Sequence, residues 1–346
     1  MMTMDEHLRE ILDLHFDPAW GAPYWLHAAR DLGFYPRRDI ETTDDLKRFP
    51  EFPLHELATH PVTDFIPRRY HDQLSGFVTA ETGGATGAPK CTAYHPDDFQ
   101  AAFVAPFVHA AELLHFPRDR HWLFVGPSGP HVIGKAARYC AAALGSIDPF
   151  SVDFDPRWVR KLPQGSLGRT RYLEHVLEQA LRVAAVQDIG VIFSTPPVLE
   201  ALGQRMPAEA REQIAGIHLG GMAPEPGFWE RLREAFPNAV TLSGYGNSLA
   251  GVCPEVSLRD GDLPVYVAHG ARLILNVKAE PGESRGPVCF HRLDRACFLP
   301  NVVEGDEAER CDVHSAEAIT AGFHAKGIRD PRPAAVYQAT RQEGLY

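Results

Sequence analysis

Thr82, Gly83, Gly84, Ala85, Thr86 and Gly87, followed by Pro89 and Lys90, bring small side chains, two hydroxyls and one amine into a single short stretch. A backbone that approaches phosphate oxygens needs residues without bulky Cβ substituents and amides turned inward to donate hydrogen bonds. This stretch offers both, with Lys90 as the charge. Two common cradles fail on spacing. A Walker A loop needs Gly, four residues, Gly, Lys, then Ser or Thr, whereas Lys90 follows Pro89 and precedes Cys91. The dinucleotide fingerprint needs glycine where Thr82 stands. What remains is T-x-G-x-T-G-x-P-K, which by itself reads equally as a phosphate loop or as a hairpin turn.

Three further stretches follow in order: IHLGGMAPEP (217–226), SGYGNSLAG (243–251) and VEGDEAER (303–310). With the glycine stretch they resemble the motifs of the adenylate-forming superfamily of acyl-CoA synthetases, aryl-CoA ligases and adenylation domains. That family's phosphate loop reads T-S-G-T-T-G-x-P-K; here Gly83 and Ala85 replace the serine and a threonine. The resemblance implies an α/β fold, the large N-terminal domain of these enzymes, with parallel sheets flanked by helices plus a small β-barrel-like region. The chain stops about 40 residues after Asp306, so the family's mobile C-terminal lid is expected to be absent. FYPRRDIETTDDLKRFPEFP (34–53) is similar to the N-terminal segment of phenylacetate-CoA ligases and acyl-protein synthetases, and GPSGPHVIG (126–134) to the latter group. The short form is similar to an adenylating protein type of phenazine-antibiotic biosynthesis.

The chemistry implied is ATP-dependent activation of a carboxylic acid, aromatic by this likeness, as an acyl-adenylate. The acyl group then passes to a thiol, a carrier protein or a reductase partner; a homodimer is left open. By the same resemblance Thr82, Gly83, Gly84, Thr86, Gly87 and Lys90 hold the β- and γ-phosphates, and Gly220 and Gly221 form the turn near the adenine. Tyr245 and Gly246 flank the adenine, Ser248 meets the α-phosphate, and Asp306 binds the ribose. Leu249 stands where the family has its Mg²⁺-binding glutamate, leaving Glu255 as a substitute ligand or simply a surface carboxylate. His131 is a candidate contact for the substrate carboxylate, or an ordinary loop histidine. Trp122, Phe193, Met222 and Phe228 either line the acyl pocket or fill the core.

Other chemistries compete for the same residues. G-x-S-x-A around Ser248 resembles a nucleophile elbow, with Asp294 or Asp306 and His314 as partners, but an elbow must lead into a helix and Pro254 follows too soon. Cys289, His291, Cys297, Cys311 and His314 contain no C-x-x-C pair, and irregular spacing favours structural cysteines over zinc. A third reading is a protein that binds nucleotide or acyl-adenylate and turns over poorly.

The elements that must position these residues can be read from periodicity. Leu8, Ile11, Leu12 and His15 share a helical stripe, and 20–32 continues helical after a turn. Pro36, Pro50, Pro53, Pro61 and Pro67 then forbid long elements, so residues 1–75 form an arm over a core. Helices at 97–114, 134–145, 170–187 and 226–236 alternate with strands at 121–125, 190–193, 217–219 and 240–242, which implies a mainly parallel sheet within 76–255. Short β-like runs at 264–269, 271–277 and 286–291 suggest a small antiparallel region over 256–320, followed by a tail, 321–346. The whole chain is expected to form one domain. A net charge of −11 with no basic face argues against nucleic acid. No apolar run approaches the ~20 residues needed to span a bilayer, and the acidic start lacks the order of a signal peptide, so no membrane partner and a cytoplasmic location are expected.

Overall fold

A computed structural model describes residues 3–84, 87–256 and 263–335. The glycine stretch joins two short antiparallel strands, β1 (Val78–Glu81) and β2 (Cys91–Tyr94), with Glu81 opposite Cys91. It is therefore the loop of a hairpin, as the plainer of its two readings required, and that hairpin presents it to the site described below.

The main sheet contains β3 (His121–Gly126), β4 (Phe150–Asp153), β5 (Ile189–Ser194), β6 (Gly216–Gly220), β7 (Val240–Asn247) and β8 (Gly251–Pro254), in the order β4-β3-β5-β6-β7-β8. All neighbours are parallel except β8, which runs antiparallel to β7. Every residue of β5 is buried, as expected of a parallel strand covered on both faces. One cover is the helix Leu167–Val186, whose N-terminus is capped by Ser166 accepting from the Arg169 amide. Its Val176, Leu177 and Ala180 pack with Ile192, Ile217 and Leu199 in one core. Periodicity located the four expected strands, but β7 runs on through Asn247, and the edge strands β4 and β8 are too short to show a period.

The second large sheet is antiparallel: β9 (Val265–Tyr266), β10 (Leu273–Val277), β11 (Arg285–Leu293), β12 (Phe298–Asp312) and β13 (Lys326–Pro333), in the order β10-β11-β12-β13-β9. Residues 326–333, read as tail from sequence, are thus a strand of this sheet. Their charges hid them, because four of the eight residues are Lys, Arg or Asp. The expected helix over 97–114 is interrupted at Gln100–Val104 by a π-helical turn ahead of Ala105–Leu113. Pro106 has no amide to return to Ala102, which accounts for the change of pitch.

The N-terminal arm packs on the antiparallel sheet. Leu8, Ile11 and Leu12 of the helix Met4–His15 share a buried cluster with Phe290, Phe298 and Leu299. Side chains then dock onto backbone carbonyls: His7 on Leu293, His15 on Asp294, and Trp25 Nε1 on Phe298 at 3.0 Å. The second helix is shorter than its sequence suggested, Pro23–Ala28.

Candidate active site

A buried ion network aligns the hairpin with its surroundings. Arg292 on β11 donates to Thr92 Oγ1 and the Ala93 carbonyl of β2, both at 2.7 Å, and to Asp294 at 2.6 Å. Asp294 also receives two bonds from Arg272, whose Nη1 reaches the Ala250 carbonyl at 2.7 Å. The two guanidinium groups hold the Asp294 carboxyl below its usual range despite full burial. Tyr94 of β2 donates to the carbonyls of Ser248 and Leu249 at 2.9 and 3.1 Å. The hairpin and the β7–β8 turn are thereby fixed to each other from below.

Above this network lies a cleft of about 520 Å³. Thr82, Gly83, Gly84 and Lys90 form one wall; Gly221 and Met222, at the end of β6, form the next. Gly244, Tyr245 and Gly246 of β7 face Glu304 and Asp306 of β12, and the arm adds Glu51 and Leu54. Residues from the glycine loop, the β6 turn, the β7 end and the acidic turn of β12 therefore meet, in the crevice beyond the carboxyl ends of the parallel strands. Gly221 has φ +83°, a left-handed turn that glycine adopts without strain. At Gly246 any Cβ would collide with the Gly251 carbonyl across the β7–β8 pair.

The loop closes on itself through Lys90, whose amide donates to Thr82 Oγ1 at 3.0 Å while the Thr82 amide donates to the Lys90 carbonyl at 3.0 Å. Across the cleft, Tyr245 donates to Asp306 Oδ2 at 3.2 Å. Burial first, and then Glu304 and Asp306 beside it, hold the Tyr245 phenol well above its usual pKa, so it stays protonated. Asn247 fastens the turn: Nδ2 donates to Glu304 at 2.6 Å, and Oδ1 accepts from the amides of Leu249 and Ala250.

Several expected residues stand elsewhere. Ser248 Oγ donates to the Glu81 carbonyl at 3.0 Å, beneath the loop, and does not line the cleft. It is followed by the strand β8 and not by a helix, which removes the geometry of a nucleophile elbow; Asp294 is already held by two arginines. His131 lies at the start of the helix Val132–Ala143, outside the cleft, where burial and the nearby Arg157 lower its pKa. Gly220 sits under the β6 turn, while Gly87 is exposed at the loop's outer end. Thr86 lies outside the described residues. Of the four acyl-pocket candidates only Met222 reaches the cleft; Trp122, Phe193 and Phe228 are core.

Glu255 is neither a surface carboxylate nor a cleft residue: it is 2% exposed and accepts from the Ser243 amide at 2.9 Å. Leu249 is buried in the hydrophobic core. Among the described residues no three His, Cys, Asp or Glu side chains converge to hold a metal ion. Glu255, the substitute considered for Mg²⁺, thus lies outside the cleft, and the apolar Leu249 at the family's glutamate position lines it. Of the late cysteines and histidines, His291 Nδ1 accepts from the Asn301 amide at 2.9 Å.

Two arginines went unnoticed in the sequence. Arg157 donates to the Thr82 carbonyl at 3.0 Å and pairs with Glu81 at 3.3 Å; Arg160 donates to the Gly83 carbonyl. Their i, i+3 spacing in DPRWVRK places both on one face of the helix Pro156–Lys161, a signal that was available.

The two sheets and this cleft form an α/β fold that solved ligase structures share. The solved structures similar to it include an open form of 2-hydroxyisobutyryl-CoA ligase in complex with 2-HIB-AMP and CoA, at 14% identity and a TM-score of 0.65, covering 95% of this chain and 72% of that one. The same ligase in its thioester-forming state matches at 14% identity and a TM-score of 0.66, covering 94% of this chain and 65% of that one. At this identity the likeness is one of fold. No protein-family model and no curated protein matches the chain.

Proposed function

We propose that the protein uses ATP to activate a carboxylic acid, aromatic by preference, as an acyl-adenylate destined for a thiol, carrier protein or reductase. The observation that carries this reading is the meeting of the loop at 82–84 and Lys90 with Tyr245 and Asp306 in one cleft. A carboxylate is already ionised at neutral pH, so positioning and charge neutralisation matter more than a general base. One substrate oxygen attacks the α-phosphorus, the bond to the oxygen bridging to the β-phosphate breaks, and pyrophosphate leaves. Thr82, Gly83, Gly84 and Lys90 would hold that leaving group. Asp306 would accept from the ribose hydroxyls, and the Tyr245 ring would flank the adenine. Met222, Trp229 and Tyr266, which also line the cleft, suit an aromatic acyl group. The neighbouring ligase is described with an acyl-adenylate and CoA bound, in keeping with this chemistry.

A second reading is favoured by Ser248 turning to Glu81 and by the apolar Leu249: a protein that binds nucleotide or acyl-adenylate with little turnover. Pyrophosphate exchange with a panel of aryl and aliphatic acids separates the two. Acid-dependent exchange supports the ligase; tight ATP or AMP binding without exchange supports the binding protein.

A further inference from the structure

The loop carbonyls of Thr82 and Gly83 are both held by arginines from one short helix. In a planar trans peptide the C=O and the following N–H point in opposite directions. Holding the Thr82 carbonyl therefore directs the Gly83 amide away from Arg157, and holding the Gly83 carbonyl directs the Gly84 amide away from Arg160. Gly83 and Gly84 line the cleft and neither arginine does. Two successive amides aimed into a concavity form an anion-binding nest.

We propose that Arg157 and Arg160 are positioning residues for the β- and γ-phosphates of a bound nucleotide, acting by setting the direction of the Gly83 and Gly84 amides from behind the loop. Two further features agree. Arg157 is anchored by Glu81 at the end of β1, so its charge is partly satisfied and its guanidinium fixed. Arg160 has Gly83 as its hydrogen-bond partner and stands beside Arg157, a like charge that, after burial, lowers its pKa. Glu81 and Asp155 face these two cations, so their effect on the loop is one of orientation. The loop's own sequence offers glycine and alanine where hydroxyl donors are expected at 83 and 85, and the arginines compensate by orientation.

This inference rests on the proposed nucleotide site, and its test separates the two. ATP and AMP binding are measured by calorimetry for the wild type, Arg160→Ala and Arg157→Lys, with thermal melts as a check on folding. The expected result is at least a tenfold rise in the Kd for ATP in Arg160→Ala, with the Kd for AMP changed less than about threefold. Arg157→Lys, which keeps the charge but loses the planar fork, should show a smaller loss confined to ATP. If Arg160→Ala does not fold, Arg160→Lys carries the same comparison. Proportionate loss of ATP and AMP binding, or unchanged ATP binding, overturns the inference while leaving the nucleotide site intact. A wild type that binds neither nucleotide overturns both.

Discussion

The Tyr245 hydroxyl donates to Asp306 Oδ2 at 3.2 Å, joining two cleft-lining residues 61 positions apart. The bond ties the end of the parallel sheet to the longest strand of the antiparallel one, and both residues are the ones the resemblance assigns to the nucleoside. Asp306→Ala should weaken AMP binding by about 10- to 100-fold, the usual loss for hydrogen bonds to a charged group. Tyr245→Phe keeps the ring and should cost about fivefold or less, whereas Tyr245→Ala should resemble Asp306→Ala. Calorimetry with AMP checks all three.

Lys90 is the one lysine lining the described cleft. Its replacement by alanine should slow acid-dependent pyrophosphate exchange by about 100-fold, the scale of losing one charge-stabilising group. AMP affinity should stay within about threefold, because AMP has no leaving group for Lys90 to meet. Equal loss of both would assign Lys90 to holding the loop together.

Asp294 is fully buried between Arg272 and Arg292. Asp294→Ala leaves two buried guanidinium groups without their carboxylate and should destabilise the fold by about 3 to 5 kcal/mol. Thermal unfolding would register this as a fall of several degrees or more. A melting temperature within a degree of the wild type would show that water or another acid takes over.

Acid should destabilise the protein as pH falls from about 6.5 towards 4. Burial lowers the pKa of His15, His218 and His291 from 6.5 to about 4, so between those values the unfolded chain binds protons that the folded chain refuses. Stability falls as pH drops through that window. Asp98 opposes this: burial and the nearby Asp294 raise it from 3.8 to about 7, so its contribution falls as pH rises between those values. Asp98→Asn should therefore raise the melting temperature at pH 8 relative to the wild type and steepen the decline below pH 6.5. Melts at pH 5, 6.5 and 8 test both signs.

Much of the α/β core was legible because its strands are apolar runs and its helices carry striped faces. Ile189–Ser194 and Leu167–Val186 needed only periodicity. What escaped was set by tertiary context. Lys326–Pro333 is charged and proline-bearing, yet it pairs with β12 and β9 as part of the sheet. In the site, Lys90, Tyr245 and Asp306 followed from motif order, since their types match their places. Ser248 matched equally well by type, but its rotamer answers to the Glu81 carbonyl, a partner 167 residues away. Arg157 and Arg160 belong to no motif; their importance lies in which carbonyls they reach.

The arm's anchors carry a consequence for how the molecule is made. His7, His15 and Trp25 dock onto carbonyls 286, 279 and 273 residues further along the chain. At a synthesis rate of about 5 to 20 residues per second, the arm must wait on the order of 15 to 60 seconds on the ribosome for the surface it covers. During that interval Leu8, Ile11, Leu12 and Phe16 lack their partners Phe290, Phe298 and Leu299 on the antiparallel sheet, so this segment is made long before the surface it packs on and needs a chaperone's cover.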